Sequence, residues 1–329
     1  MALLLAPTAL DRAHASFSTT TSNSGDAWAS DQLQPPSGLT ATQSCTTTSA
    51  ITQRASSTAT GTASVTLPMP TGTTAGDYLL AHVGYHDSVQ TLTVPTGWQL
   101  VGRTDNTTVS SNVYWKVATT GEPSAVFRHP DSSSPELFAG GVTAFRNVRP
   151  VAPVFGGVSG SSTTATTPSV TTSDTTVQLV HLFTKTQGPL YDVAGITDFY
   201  GTSTGTGDGV HVGIRGAGEA FAGPGSTPSR SATADSSSRW VAQAVVLERV
   251  AGTPTANLSW TPSPSTWASG YDLDRVSGGS TQSSTLTGVG TASTTQGPLV
   301  NGTAYTFRLT TARNAWRSTT VAVPFTPSC

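Results

Sequence analysis

Short apolar runs with strand-like alternation recur along the chain, separated by turns rich in Gly, Pro, Asp, Asn and Ser. Ala63 to Leu67 and Asn112 to Val117 alternate. Asp77 to Tyr85 is a longer apolar run after Gly76, the pattern of a strand buried on both faces. Trp98 to Val101 follows the turn Pro95-Thr96-Gly97, and Ser124 to Arg128 and Gly141 to Arg146 read as two further strands. Thr176 to Phe183, Val210 to Arg215 and Arg239 to Glu248 form a second series. No helical period is sustained, so helix is expected only as single turns and the fold class is all-β, built as sandwiches. Ser161 to Thr176 is a Ser/Thr stretch without apolar period, and like the N-terminus it is expected to lack order.

The C-terminal part resembles a fibronectin type III (immunoglobulin-like) module. Leu258 and Trp260 fit its second strand, with Trp260 as the core indole, and Gly270 to Val276 fits the third. Leu299, Gly302, Thr303, Tyr305, Phe307 and Leu309 match the tyrosine-corner region, which implies a core ring at Tyr305 bonded to backbone near Leu299. Thr319 to Phe325 fits the last strand. A first strand directly before Asn257 is missing, because Val250 to Thr255 is short and Pro-broken. Pro35 to Thr42 supplies it well, which implies a module split after its first strand (35–45) and resumed at 251–329. In the rival reading Val250 to Thr255 is a degraded first strand and Pro35 opens a linker. Only two cysteines occur, Cys45 and Cys329. In such a module their places lie at one pole, which implies a disulfide across the mouth of the split domain; two unpaired thiols are the alternative.

The stretch between, 46–250, resembles the jelly-roll-type sandwich of exported bacterial surface proteins and some phage tail proteins. The ordered series is Gly76-Asp77-Tyr78-Leu79-Leu80, Pro95-Thr96-Gly97-Trp98, Tyr114-Trp115-Lys116-Val117-Ala118, Gly121-Glu122-Pro123 and Ala144-Phe145-Arg146-Asn147-Val148. The resemblance covers Val65 to Arg249 and implies no catalytic residues.

Charged residues are 10% of the 329, against roughly 25% in an average soluble domain, and the net charge is −2. No basic run exists, so neither nucleic acid nor a polybasic membrane contact is expected. Ala2 to Leu10 is apolar and Ala13-His14-Ala15 has a signal-peptidase form, so residues 1–15 read as a signal peptide. No basic segment precedes the run, so a truncated signal peptide, with the true start upstream, is the expectation; a short buried strand is the alternative. Residues 16–34 read as a flexible segment, and Ser16 to Trp28 resembles the segment after the signal peptide in exported Gram-positive surface proteins. No segment of the mature chain is long and apolar enough to span a bilayer.

Candidate chemistry is sparse. His82 and His86, four apart with Asp87 beside them, would suit a metal on a helix, but on a strand they stand about 13 Å apart, and no metal or other cofactor is expected. His129 reads as a loop residue, and His181 and His211 are expected to face solvent. Asp192, Asp198 and Asp208 flank Gly-rich loops, where a glycosidase acid and base would have to pair. Gly201-Thr202-Ser203-Thr204-Gly205 has the nucleophile-elbow form, but a Gly/Asp-rich loop follows instead of a helix. Asp272 and Asp274 share one exposed strand face. Tyr191, Phe199, Tyr200 and Phe221 lie in Gly/Pro/Asp contexts and are the candidate ligand-binding aromatics, since exposed rings stack on sugars. The expected function is non-enzymatic adhesion or recognition at a cell surface or in a matrix, with glycan or another surface protein as partner. The alternatives are a self-assembling subunit of a surface fibre or phage tail, and an extracellular carbohydrate-active enzyme.

Overall fold

The computed structural model describes residues 32–46, 48–87, 91–131, 136–205 and 210–329. Every regular element among them is a strand. Two compact units form. One holds Gln43–Thr255, Gly297–Gly302 and Pro327–Cys329; the other holds the described residues up to Thr42, Ala256–Gln296 and Thr303–Thr326. The signal-peptide reading and the export-like segment up to Trp28 lie outside the described residues. The end of the expected flexible segment is anchored instead: Leu33 is 8% exposed and Gln34 N donates to Ser265 Oγ at 3.0 Å.

After β1 (Ser37–Cys45), the larger unit runs through β2 (Thr52–Thr62), β3 (Ser64–Leu67), β4 (Tyr78–Tyr85), β5 (Gln99–Asn106), β6 (Val109–Val117), β7 (Ala125–Arg128) and β8 (Leu137–Arg146). It then repeats itself with β9 (Val154–Thr166), β10 (Thr171–Thr172), β11 (Val177–Thr186), β12 (Thr197–Ser203), β13 (Val212–Phe221), β14 (Gly225–Ser226) and β15 (Ser231–Glu248). The first seven strands make an antiparallel sheet in the order β2-β8-β4-β6-β5 and a separate β3-β7 pair. The second seven make β9-β15-β11-β13-β12 and a β10-β14 pair, the same topology strand for strand. The register repeats as well. A one-residue bulge skips Val101 between Leu100 and Gly102 where β5 meets β6, and another skips Phe199 between Asp198 and Tyr200 where β12 meets β13. The unit is a structural duplication.

The two five-stranded sheets pack on one another around a central core to which Tyr78, Leu80, Trp115 and Phe145 contribute from the first copy and Val180, Leu182, Val245 and Leu247 from the second. The packing is reciprocal: β5 lies against β9 and β15, as β12 lies against β2 and β8. Each sheet has a second core on its outer face, around Leu79, Val83 and Phe127 in one copy and Phe183, Ala217 and Ala242 in the other. β4 and β11 are therefore covered on both sides, which is why their sequences read as near-continuous apolar runs. Ser161 to Thr176, expected to lack order, is instead partly strand, in β9 and β10. Pairing with β15 organises Ser161 and Ser162 without an apolar pattern of their own.

The smaller unit carries β16 (Pro254–Thr261), β17 (Gly270–Ser277), β18 (Ser280–Thr287), β19 (Ser293–Gln296), β20 (Tyr305–Arg313), β21 (Trp316–Arg317) and β22 (Val321–Phe325). One sheet is β1-β16-β19; the other is β18-β17-β20, with β21 and β22 both on β20. Trp260 of β16 meets Tyr271 of β17 edge-on at 5.6 Å, so the two sheets share a core. The deepest phenol there is Tyr271: fully buried, it donates to Val289 O at 2.6 Å and accepts from Ser263 N at 2.9 Å. Tyr305, expected in that role, is half-buried and stacks on Phe307.

Cys45 and Cys329 form a disulfide. Around it Gln43 and Ser328 exchange two hydrogen bonds, Gln43 Nε2 to Ser328 O at 2.6 Å and Ser328 N to Gln43 Oε1 at 2.7 Å. Asn301 Oδ1 accepts from Cys329 N at 2.6 Å.

Candidate functional site

An exposed aromatic site lies in the smaller unit, at residues the sequence reading did not single out. β20 and β21 form a hairpin whose last pair is Arg313 opposite Trp316. Its two-residue turn needs a left-handed residue, and Asn314 takes φ 47° there, a conformation asparagine tolerates. The turn projects Trp316, which is 61% exposed. Trp267, from the loop before β17, stands edge-on to it at 6.0 Å between centroids. Arg313 fixes Trp267 twice, with its guanidinium 5.2 Å from the ring centroid and Nη1 donating to Trp267 O at 2.9 Å. Trp267, Arg313, Asn314 and Trp316 line a cleft of about 320 Å³. An open indole face with an amide and a guanidinium beside it suits a ligand that is part apolar and part hydroxylated.

On the open face of the same sheet a shallow polar groove of about 680 Å³ runs between Asp272, Asp274, Thr285, Thr310, Arg317 and Thr320. Asp272 and Asp274 do share the expected face, but each is engaged: Asp272 by Arg317 and Asp274 by Ser283 Oγ at 2.6 Å. Among the described residues no group of three or more His, Cys, Asp or Glu side chains could hold a metal.

The four aromatics singled out from the sequence do not converge. Tyr191 is exposed, at 46%, and its hydroxyl donates to Asp235, whose carboxylate pushes the phenol pKa up. Phe199 is the bulge residue of β12 and packs edge-on against Phe145 in the central core, at 5.7 Å. Tyr200 lies over Gly141 and Gly216, its hydroxyl 3.3 Å from His82 Nδ1; burial pushes its pKa up. Phe221 packs on the cluster of Val177, Leu179 and Val246.

The histidines also sit differently from expectation. His82 is fully buried in the central packing, with Nε2 at 2.9 Å from Ser111 Oγ and 2.8 Å from Thr184 Oγ1. Ser111 Oγ donates on to Gln243 Oε1 at 2.8 Å. His86 pairs elsewhere, with Glu136 at 3.1 Å, and Asp87 lies 3.4 Å from His129, so the three do not form a ligand set. His181 is buried, not solvent-facing, between Thr167 Oγ1 at 3.0 Å and Glu219 at 3.3 Å, and His211 is half-buried. Asp192 and Asp198 both pair with Arg215, the latter at 3.0 Å, an arrangement for neutralising charge rather than for acid–base work. Asp208 lies outside the described residues. Ser203 lies on β12, an edge strand, and its hydroxyl donates to Gly205 O at 2.7 Å, so it makes no nucleophile elbow. No protein-family model matches the chain, and no curated protein matches it.

Proposed function

We propose that this is an exported, non-enzymatic recognition protein of the cell surface or matrix, which binds carbohydrate through the Trp267–Trp316 cleft. The carrying observation is the exposed Trp316 at a hairpin tip, edge-on to Trp267, which Arg313 braces. Burying an indole face is favourable, so a tip that exposes one and braces its partner is arranged for an occupant. Export is supported by the disulfide and by the signal-like N-terminal sequence. The fibronectin type III reading of the smaller unit is supported by the sheet orders β1-β16-β19 and β18-β17-β20-β22, with the larger unit entering the chain between β1 and β16. The jelly-roll reading is supported by the Greek-key order in each seven-strand copy.

A glycan array with the full chain is the direct test. Selective binding is expected, weakened about tenfold or more in Trp316→Ala, as for loss of one stacked ring. Binding that Trp316→Ala leaves intact would remove the cleft from the reading. A second reading, a self-assembling fibre subunit, is favoured by β18, an edge strand with neither charge nor proline. Regular filaments on electron micrographs, with no glycan bound, would decide for it.

A further inference from the structure

The tryptophan cleft carries a charge that its own walls leave unbalanced. Two segments build it, the loop 263–269 and the hairpin tip 313–317, and together they hold two arginines and no aspartate or glutamate. The two arginines are used differently. Arg317 pairs with Asp272, and its Nη1 donates to Asn314 O at 2.6 Å and to Trp316 O at 2.8 Å, so its charge is met and it holds the turn in shape. Arg313 lines the cleft and makes no ion pair among the described residues. Its guanidinium stands 5.2 Å from the Trp267 centroid, and the ring attracts the cation without supplying a negative charge. Its one hydrogen bond, to Trp267 O at 2.9 Å, uses Nη1 and leaves the edge formed by Nε and Nη2 without a partner. Two parallel N–H groups on such an edge are the fork that a carboxylate accepts side-on.

We infer that the cleft takes an acidic glycan, one that displays uronic acid residues, with a sugar carboxylate on the Nε–Nη2 edge of Arg313 and a pyranose face on Trp316. The inference rests on the carbohydrate reading of the cleft and narrows it. Trp316, 61% exposed, offers an indole on which the C–H face of a sugar ring lies. Asn314 also lines the cleft, and its amide donates to and accepts from ring hydroxyls. A cleft of about 320 Å³ stands at the lower end of the roughly 300–1,000 Å³ of ligand pockets, room for about one or two rings. The whole chain has a net charge of −2, so its overall field does not draw in an anion, and the attraction is local to Arg313.

The test is a calorimetric titration of the full chain with tetragalacturonate and tetraglucuronate, each beside its own methyl ester, which keeps the rings and removes the charge. A sulfated neutral tetrasaccharide tests the other common source of sugar charge. At least one uronate is expected to bind about three- to tenfold more tightly than its ester, a gap that narrows as salt is raised. Trp316→Ala should weaken acid and ester alike. Arg313→Gln should bring the ratio of the two affinities to about one. That ratio separates charge from bracing: losing the support on Trp267 weakens both ligands together, whereas losing the charge weakens only the acid. Arg313→Lys, which keeps the charge without the fork, should retain only part of the ratio. An ester that binds as tightly as its acid, or a ratio that survives in Arg313→Gln, overturns the inference and leaves the carbohydrate reading standing. Tighter binding of the sulfated sugar than of either uronate overturns the carboxylate. No binding of either uronate overturns the inference as well, and the neutral glycans of the array then decide the carbohydrate reading separately.

Discussion

His82 shows what one buried polar residue demands of its surroundings. Burial disfavours the imidazolium and pushes its pKa down to about 3, so the ring is neutral and shares its hydrogen bonds with Ser111 and Thr184. In the unfolded chain a histidine titrates near 6.5. Above that pH neither state is charged and stability is at its full value. As pH falls from about 6.5 towards 3, the unfolded chain takes up a proton that the folded one refuses, and stability declines. His181 adds to the same trend: burial lowers its pKa, although Glu219 opposes the shift. Urea unfolding at pH 7 and pH 4 should show a loss on the order of a few kcal/mol, reduced in His82→Gln. Tyr200 teaches a different lesson. Its Gly-rich context read as loop, but Gly141 and Gly216 are strand positions left bare so that its ring can lie flat on them. A Cβ at Gly141 or at Gly216 would fall 2.5 Å from that ring. Gly141→Val should therefore cost about 1–3 kcal/mol in thermal or chemical denaturation. The sequence marks a glycine but not which ring occupies the space above it, and that is why three of the four aromatics chosen as exposed are packed.

At the level of elements, the strands that could be read in advance are those with an apolar face. β4, β6, β8, β11 and β15 lie inside their sheets, and each carries the period or the long apolar run its burial demands. β2, β9 and β18 are sheet edges made mostly of Thr, Ser, Gly and Ala, and nothing in their sequences separates them from loops. Their order comes from the neighbour that supplies the ladder, and β-branched threonine suits an extended backbone. Amide exchange should follow the same division. Protection is expected to be longest in β4 and β11, covered on both faces, and shortest in the exposed β18. Comparable protection in β18 and β4 would contradict the layering. The tryptophan cleft escaped notice for the same reason: Trp267 and Trp316 are far apart in sequence, and only the pairing of β20 with β21 brings the second to a hairpin tip.

On the scale of the whole molecule, the all-β class was legible, because no stretch sustains a helical period. The duplication was not. Few register-matched positions keep the same residue, as Leu79 and Leu179 or Thr104 and Thr202 do, while the shared topology and bulges survive throughout. Packing constrains where a strand lies and which way it faces far more than it constrains which residue fills the place. The disulfide has a consequence for mechanical load. A pull applied between the backbone ahead of Cys45 and Cys329 itself travels through the sulfur–sulfur bond, because that is the taut covalent route. Residues 46–328 hang from it as slack. In a single-molecule pulling experiment the oxidised chain should yield only the short segment ahead of Cys45. Adding reductant should release the stored segment, on the order of 1,000 Å of contour at about 3.3–3.6 Å per residue. An oxidised chain that pays out that length would show the load passing through the folded units instead. With the bond closed, the sandwich of the larger unit rides outside the line of tension and keeps its shape while β1, ahead of the bond, is drawn out.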